Sequence, residues 1–281
     1  MTDHTLFPPL PFGRIGLAAG ALLLAGFALL GLWPHLFDVP APEKMDLLAR
    51  LTGPSQTHPL GTDHLGRDVL SRLMHAVPVS LGAACATMAA ILVIALPWGV
   101  AAAIAGGAVD LVMMRVADII MAFPTLVLAL AVIGFMGASL EASVIGIAAA
   151  WWPSTARMVR TLVLSANQRD FVRAAYMCGA SRWRIVFRHI LPQVVPPLAV
   201  IVSLETASVL LALSALSFLG IGAQPPTPEW GAMLNEARPF FAQAPHMLLV
   251  PGLAVTMAVL ALNLIGEGLR TFLDTRAPYT W

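Results

Sequence analysis

Between Gln168 and Pro192 the chain reads QRDFVRAAYMCGASRWRIVFRHILP, in which five arginines (Arg169, Arg173, Arg182, Arg184 and Arg188) meet one acid, Asp170. Arg157 and Arg160 lie just upstream, so seven of the sixteen basic residues crowd into one region. Guanidinium groups at that density suit lipid phosphates, while the small Ala174 and Ala175 leave another protein room to approach the backbone. The pattern predicts two short helices joined at Gly179. Phe171, Ala174, Ala175 and Cys178 fall on one face of the first, and Ile185, Val186, His189 and Ile190 on one face of the second. Glycine permits the sharp turn between them. Pro192 is expected to end the second helix as the chain enters a membrane.

The remaining polar residues narrow the chemistry by exclusion. A phosphate-binding loop of the form GxxxxGK[ST] needs a lysine, whereas the single lysine, Lys44, lies in APEKMD. HExxH and GxSxG are absent, which removes the common metalloprotease and hydrolase signatures. Three of the seven histidines, His58, His64 and His75, precede or open the second apolar run, without the i,i+3 or i,i+4 pairing of a helical metal site. No metal ligand set is expected. A charge in hydrocarbon costs about 3 kcal/mol or more, so ionisable residues inside apolar runs mark pathways or pairs. Glu205 stands among Ser203, Thr206 and Ser208, where it either faces a solute pathway or bonds a neighbouring helix. Arg115 and Asp118 are expected to pair with each other near the cytoplasmic surface, with Asp118 a second pathway candidate. Asn263 and Glu267 are expected at a cytoplasmic exit.

Apolar runs must position these groups. Apolar residues make up 58% of the chain and charged ones 11%, against roughly 45–50% and 25% in a soluble domain. The runs lie near 15–32, 79–104, 112–135, 142–156, 194–219 and 247–265. They predict an all-α integral membrane protein with about six transmembrane helices, or five if the short fourth run does not extend through Arg157 and Arg160. Pro97, Pro124 and Pro153 fall inside three runs and are expected to kink them. Trp33-Pro34 is expected to close the first run, which reads as an uncleaved anchor, and Gly16 and Gly20 in it form a GxxxG pair. Cys85 and Cys178 are expected to be free thiols.

Arginine placement puts the loop between the fourth and fifth runs in the cytoplasm. Both termini then lie there too, and the loops 34–77 and 220–245 lie outside. The expected organisation is a unit over 1–77, comprising N-terminal tail, first helix and external loop, followed by a five-helix core over 78–281 with its cytoplasmic loop at about 166–192. In the external loop Thr62 or Asp63 can cap a short amphipathic helix, within which Asp68 and Arg72 are spaced for an i,i+4 pair. Trp230 either anchors the second external loop at the lipid interface or touches a delivering protein.

Ala174-Ala175, Gly179 and Ile190-Leu191-Pro192 match the spacing of the EAA loop, so the chain resembles the permeases of ABC importers. GTDHLGRDVLSRL from Gly61, SFLGIGAQPPTPEWG from Ser217 and NLIGEGLRTFLD from Asn263 resemble the dipeptide, oligopeptide and nickel branch, in its second permease subunit. That likeness runs from about Gly61 to Arg276. It implies a multi-pass protein of the bacterial inner membrane that is a transport subunit and not an enzyme. Phe171, Arg173, Ala174, Ala175, Gly179, Ala180, Arg182, His189, Leu191 and Pro192 would form an ATPase-coupling loop. Arg173 departs from the motif, whose glutamate stands there. Gly61, Thr62, Asp63, Gly66, Arg67 and Asp68 would form the external family motif. The implied partners are a second homologous permease, two ATPase subunits that carry ATP and Mg, an extracytoplasmic solute-binding protein and the lipid bilayer. No cofactor on this chain and no nucleic acid are expected. MRVADIIMAFPT from Met114 and ARMVR from Ala156 look closer to nickel permeases than to dipeptide ones. A secondary transporter driven by an ion gradient is the rival reading.

Overall fold

Asp68 starts the longest helix. Its carboxylate accepts the Ser71 N–H at 2.7 Å, and the resulting helix α2 (Val69–Ala105) runs 37 residues, about 55 Å at 1.5 Å per residue. In this computed structural model, which describes residues 12–36 and 39–273, α2 lies between α1 (Phe12–Leu36) and α5 (Leu140–Asn167). The other helices are α3 (Gly107–Met121), α4 (Thr125–Met136), α6 (Asp170–Met177), α7 (Arg182–Ile185), α8 (Leu191–Phe218), α9 (Trp230–Ala237) and α10 (His246–Leu273). The tail before Phe12 and the residues from Asp274 to Arg276 that extend the family likeness lie outside the described residues.

The core is built from small residues with a few branched ones between them. Ala76, Ala84, Ala95, Ala142, Ala148 and Ala258 let α2, α5 and α10 approach, and Ile91, Ile147, Leu210 and Leu216 fill the space. In a bilayer, where lipid tails are as apolar as leucine, close packing of small residues is what holds helices together. Of the GxxxG pair of α1, Gly20 does this against α10, whereas a Cβ on Gly16 would meet Leu264 only at an ordinary 3.8 Å. A Cβ on Gly20 would stand 2.7 Å from the Ala261 carbonyl oxygen, and one on Gly268 would stand 2.6 Å from Leu17. The exposed apolar side chains, among them Leu22, Val93, Ile119, Phe135 and Leu253, form a surface suited to lipid or to another membrane subunit.

Among the described residues, four helical stretches are long and apolar enough to cross a membrane: Gly13–Leu32, Val69–Ala105, Arg182–Phe218 and His246–Leu273. The α3–α4 pair passes the same test only when taken together, bent by 81° at the break before Thr125, the geometry of a broken span or a re-entrant loop. The fourth run becomes α5, 28 residues long yet outside that set. The reason is environment. Ser143, Trp152, Pro153, Thr155 and Val159 of α5 are buried against α2, α3, α4 and α8, so its side chains answer to protein and need not be oily.

Three boundaries differ from expectation. Trp33-Pro34 does not close the first helix, which continues to Leu36. Pro192 does not end the helix before it. A π-helical segment, Val186–Ile190, carries α7 into α8, with Leu191 N–H bonded to the Val186 carbonyl. Proline at the start of α8 costs little because its missing N–H falls where the ladder is already reset. Nor is there a separate short helix near Asp68, since those residues open α2 itself. Pro97 and Pro153 sit inside uninterrupted helices; of the three expected kinks only the one at Pro124 coincides with a break.

Candidate functional site

At the arginine-rich end, local chemistry fixes a helical hairpin. Helix α6 ends at Cys178, Gly179 adopts φ +75°, and Ala180 N–H reaches back to the Ala175 carbonyl at 3.1 Å. That is a Schellman closure, which calls for glycine at the left-handed position. Ser181 then caps α7 by accepting the Arg184 N–H. Val172, Ile185 and Ile190 are fully buried with Val159 and Val163 of α5 and Val194 of α8, so the hairpin is bolted to both helices that lead into it.

What it presents outward is apolar and cationic together. Met177 is 90% exposed, Trp183 74% and Phe187 62%, and the last two rings stack at 5.9 Å with planes 17° apart. Phe171, Ala174, Tyr176 and Gly179 are also exposed, and Ala175 and Ala180 are half-buried. Arg169, Arg173, Arg182, Arg184 and Arg188 are all exposed, with no ion pair among the described residues. The face predicted from Ile185, Val186, His189 and Ile190 is the inward one, with His189 half-buried near Phe171. Leu191 is half-buried and Pro192 exposed as α8 begins. The aromatic pair escaped the sequence reading; its signal was the i,i+4 spacing of Trp183 and Phe187 among arginines.

The opposite end carries a buried box of charge. Asp63 accepts N–H groups of Leu65 and Arg67 on one oxygen, and Arg67 Nε (2.6 Å) and Arg72 Nη1 (2.8 Å) donate to the other. Both arginines also donate to Glu236 of α9, Arg67 at 2.5 Å and Arg72 at 2.8 Å. The expected Asp68–Arg72 pair does not form. Asp68 is spent on capping α2 and on His58 Nδ1 at 2.8 Å. Thr62 is buried, its hydroxyl donating to the Ala49 carbonyl and touching the Thr52 hydroxyl. Gly66 (φ +74°) lies so close to Asp46 that a Cβ would fall 1.7 Å from the Asp46 carbonyl oxygen, and at Gly61 one would meet His246 at 2.6 Å.

Burial alone would raise the Asp63 pKa, but the Arg67 N–H and guanidinium, the Leu65 N–H and the Arg72 charge together hold it below the usual value. Burial lowers that of His64 against the pull of Asp63 and Glu236. The ligand atoms of Asp63, His64 and Glu236 lie within 4.8 Å of one another, yet both carboxylates are committed to guanidinium groups, and a divalent cation there would stand beside two positive charges. Trp230 has neither of its expected roles. It is fully buried beside Phe27, its backbone N–H donating to Ser80 Oγ, while the buried Glu229 carboxylate caps α9 through the backbone N–H groups of Gly231 and Ala232.

Between the two ends, Glu205 accepts the Thr155 hydroxyl at 2.8 Å across the α5–α8 contact, and Ser203 donates to the Leu262 carbonyl. Asp118 does not pair with Arg115. Arg115 is exposed, and Asp118 takes Arg157 of α5 instead. One step nearer the arginine-rich end, Asp110 and Arg160 form a two-pronged pair at 2.6 and 2.5 Å. The pairs run in reverse order along the two helices, Asp110 of α3 meeting Arg160 of α5 and Asp118 meeting Arg157, as antiparallel neighbours require. Glu267 lies near Arg270 at 3.6 Å on an exposed turn of α10.

Residues 95–278 match the family described as binding-protein-dependent transport system inner membrane component. The nickel transport system permease protein NikC of Escherichia coli is 43% identical over 252 residues, 90% of each chain. The glutathione transport system permease protein GsiD of Pectobacterium atrosepticum is 39% identical over 94% of this chain and 87% of that one. For the dipeptide transport system permease protein DppC of Alkalihalophilus pseudofirmus the figures are 36%, 92% and 84%. Among solved structures, an inward-facing MetNI methionine ABC transporter chain aligns with TM-score 0.60 at 17% identity, over 71% of this chain and 95% of that one.

Proposed function

This chain belongs to the family of binding-protein-dependent transport system inner membrane components, and from that premise we propose how its parts divide the work of import. It is an inner-membrane permease subunit of a binding-protein-dependent ABC importer. The α6–α7 hairpin is the coupling loop, received in a groove of an ATPase subunit that carries ATP and Mg. The observation that carries this reading is the outward surface of Met177, Trp183 and Phe187, ringed by exposed arginines and bolted to α5 and α8 from beneath. An apolar patch of this kind at the water-facing end of a membrane protein marks a docking site.

From the hairpin one continuous helical rod, Arg182–Phe218, reaches the outer end. A push on the loop therefore moves α8 and its Glu205–Thr155 contact as a unit. Glu205, Ser203 and Asp118 are the pathway candidates, with a second homologous permease completing the channel and a solute-binding protein delivering from outside. The outer motif from Gly61 to Asp68 locks the loop 39–68 to α2 and α9 and gives that protein a rigid landing surface. The solute is a peptide or a nickel chelate, with the nickel-type relative the more similar of the three described. Reconstitution with the partner subunits should give uptake that requires ATP. Uptake driven by a proton gradient alone would contradict the assignment.

A further inference from the structure

Asp118 and Arg157 occupy an unusual position for charged residues. Asp118 lies eleven residues into α3 from Gly107, about 16 Å along the axis, and Arg157 stands about 15 Å from the arginine-rich end of α5 at Asn167. Both are therefore set back by several helical turns from the arginine-rich end. Their side chains are nonetheless 41% and 47% exposed. With Asp110, Arg160, Gly107, Leu111 and Met114 they line one open cleft of about 570 Å³. An exposed ion pair facing lipid is costly enough that such residues turn toward water or toward protein.

The two pairs in the cleft differ in what they leave free. Asp110 and Arg160 satisfy each other on both carboxylate oxygens. Asp118 accepts Arg157 on Oδ1 alone, so Oδ2 and the remaining guanidinium N–H groups have no partner among the described residues. A solute with a cationic centre beside a carboxylate can take the place of each partner in turn, its cation on Asp118 and its carboxylate on Arg157. The exchange buries no net charge.

Resting on the importer reading, we propose that this face of α3 and α5 lines the solute pathway, and that Asp118 and Arg157 together form a transient site for a solute carrying both charge signs. That chemistry is shared by the two termini of a short peptide and by a carboxylate-chelated divalent metal. The volume suits a molecule of that size.

The test uses the assembled importer with Cys85 and Cys178 replaced by serine and a single new thiol, Met114→Cys, which lines the cleft and leaves the ion pairs intact. A membrane-impermeant thiol reagent should label it to a degree that changes with nucleotide state. Alanyl-alanine, or nickel citrate, should slow the labelling, and whichever does so identifies the source. Alanyl-alanine lacking its charged amine through N-acetylation should not. Asp118→Asn and Arg157→Gln should each weaken that protection about tenfold while the complex assembles in normal yield. No labelling in any nucleotide state, or protection unaltered by both substitutions, would overturn the proposal. ATP dependence of uptake is measured separately, so failure of the importer reading appears there and not in the labelling.

Discussion

Glu236→Ala should cost about 3–5 kcal/mol and release the outer end of the molecule, the largest stability effect expected of any single change here. Arg67 and Arg72 are almost fully buried and share two carboxylates, Asp63 and Glu236. Removing one leaves two almost fully buried guanidinium groups facing one acid. Three pieces of chain meet at this box: the loop from Gly61 to Asp68, the first turns of α2 and the helix α9. Limited proteolysis between Gly220 and Pro245 should become fast in the variant, and thermal unfolding in detergent should fall with it.

Acidification should loosen the same region by the same logic. Asp63 has a folded pKa below its unfolded one. Its contribution is present above the unfolded value of about 3.9 and is lost as pH falls through the folded value. His64 is likewise depressed. It stabilises fully above its unfolded value of about 6.5, and that share declines as pH drops below it. Cleavage at the outer end should therefore accelerate on the acid side and stay slow from pH 7 upward.

Gly179→Val should uncouple ATP hydrolysis from transport while leaving insertion and assembly intact. A side chain there meets nothing within 4 Å, so the effect lies wholly in the backbone. At φ +75° an ordinary residue costs about 1–2 kcal/mol, and a β-branched one more. If docking requires the closed turn, that penalty reduces the competent fraction between about fivefold and thirtyfold. Asparagine tolerates the left-handed region, so Gly179→Asn should retain most uptake. Uptake per ATP hydrolysed separates the two variants. Equal coupling in both would remove the turn from the mechanism.

The hairpin was legible because its signals are local. Helical spacing on either side of Gly179, and the small Ala174 and Ala175, can be read from adjacent letters, and α6 ends and α7 begins close to Gly179 as expected, although the second helix runs on past Pro192. Residues that act through distant partners were not legible. Arg72 sits four residues after Asp68, yet it bonds Glu236, 164 positions away. Asp118 sits three after Arg115 and takes Arg157, 39 positions on. Local spacing proposes a pair, and tertiary packing overrides it wherever a distant partner offers better geometry. Trp230 was read as an interface residue because aromatic anchors are common in external loops; its burial depends on Phe27 and Ser80, which no window of the sequence places beside it. The hydropathy of α5 misleads for a related reason. A helix surrounded by protein keeps serine, threonine and arginine that a lipid-facing helix would discard.

The central claim is that the exposed aromatic and arginine surface of the hairpin is where an ATPase subunit docks. It is tested most directly by placing a photo-crosslinking amino acid at Trp183 in the assembled importer, with Leu48, a still more exposed residue at the opposite end, as control. The account predicts an adduct with the ATPase from position 183, changing in yield when ATP is added, and none from position 48. Adducts from position 183 that contain only lipid, with ATP-driven uptake intact, would contradict it.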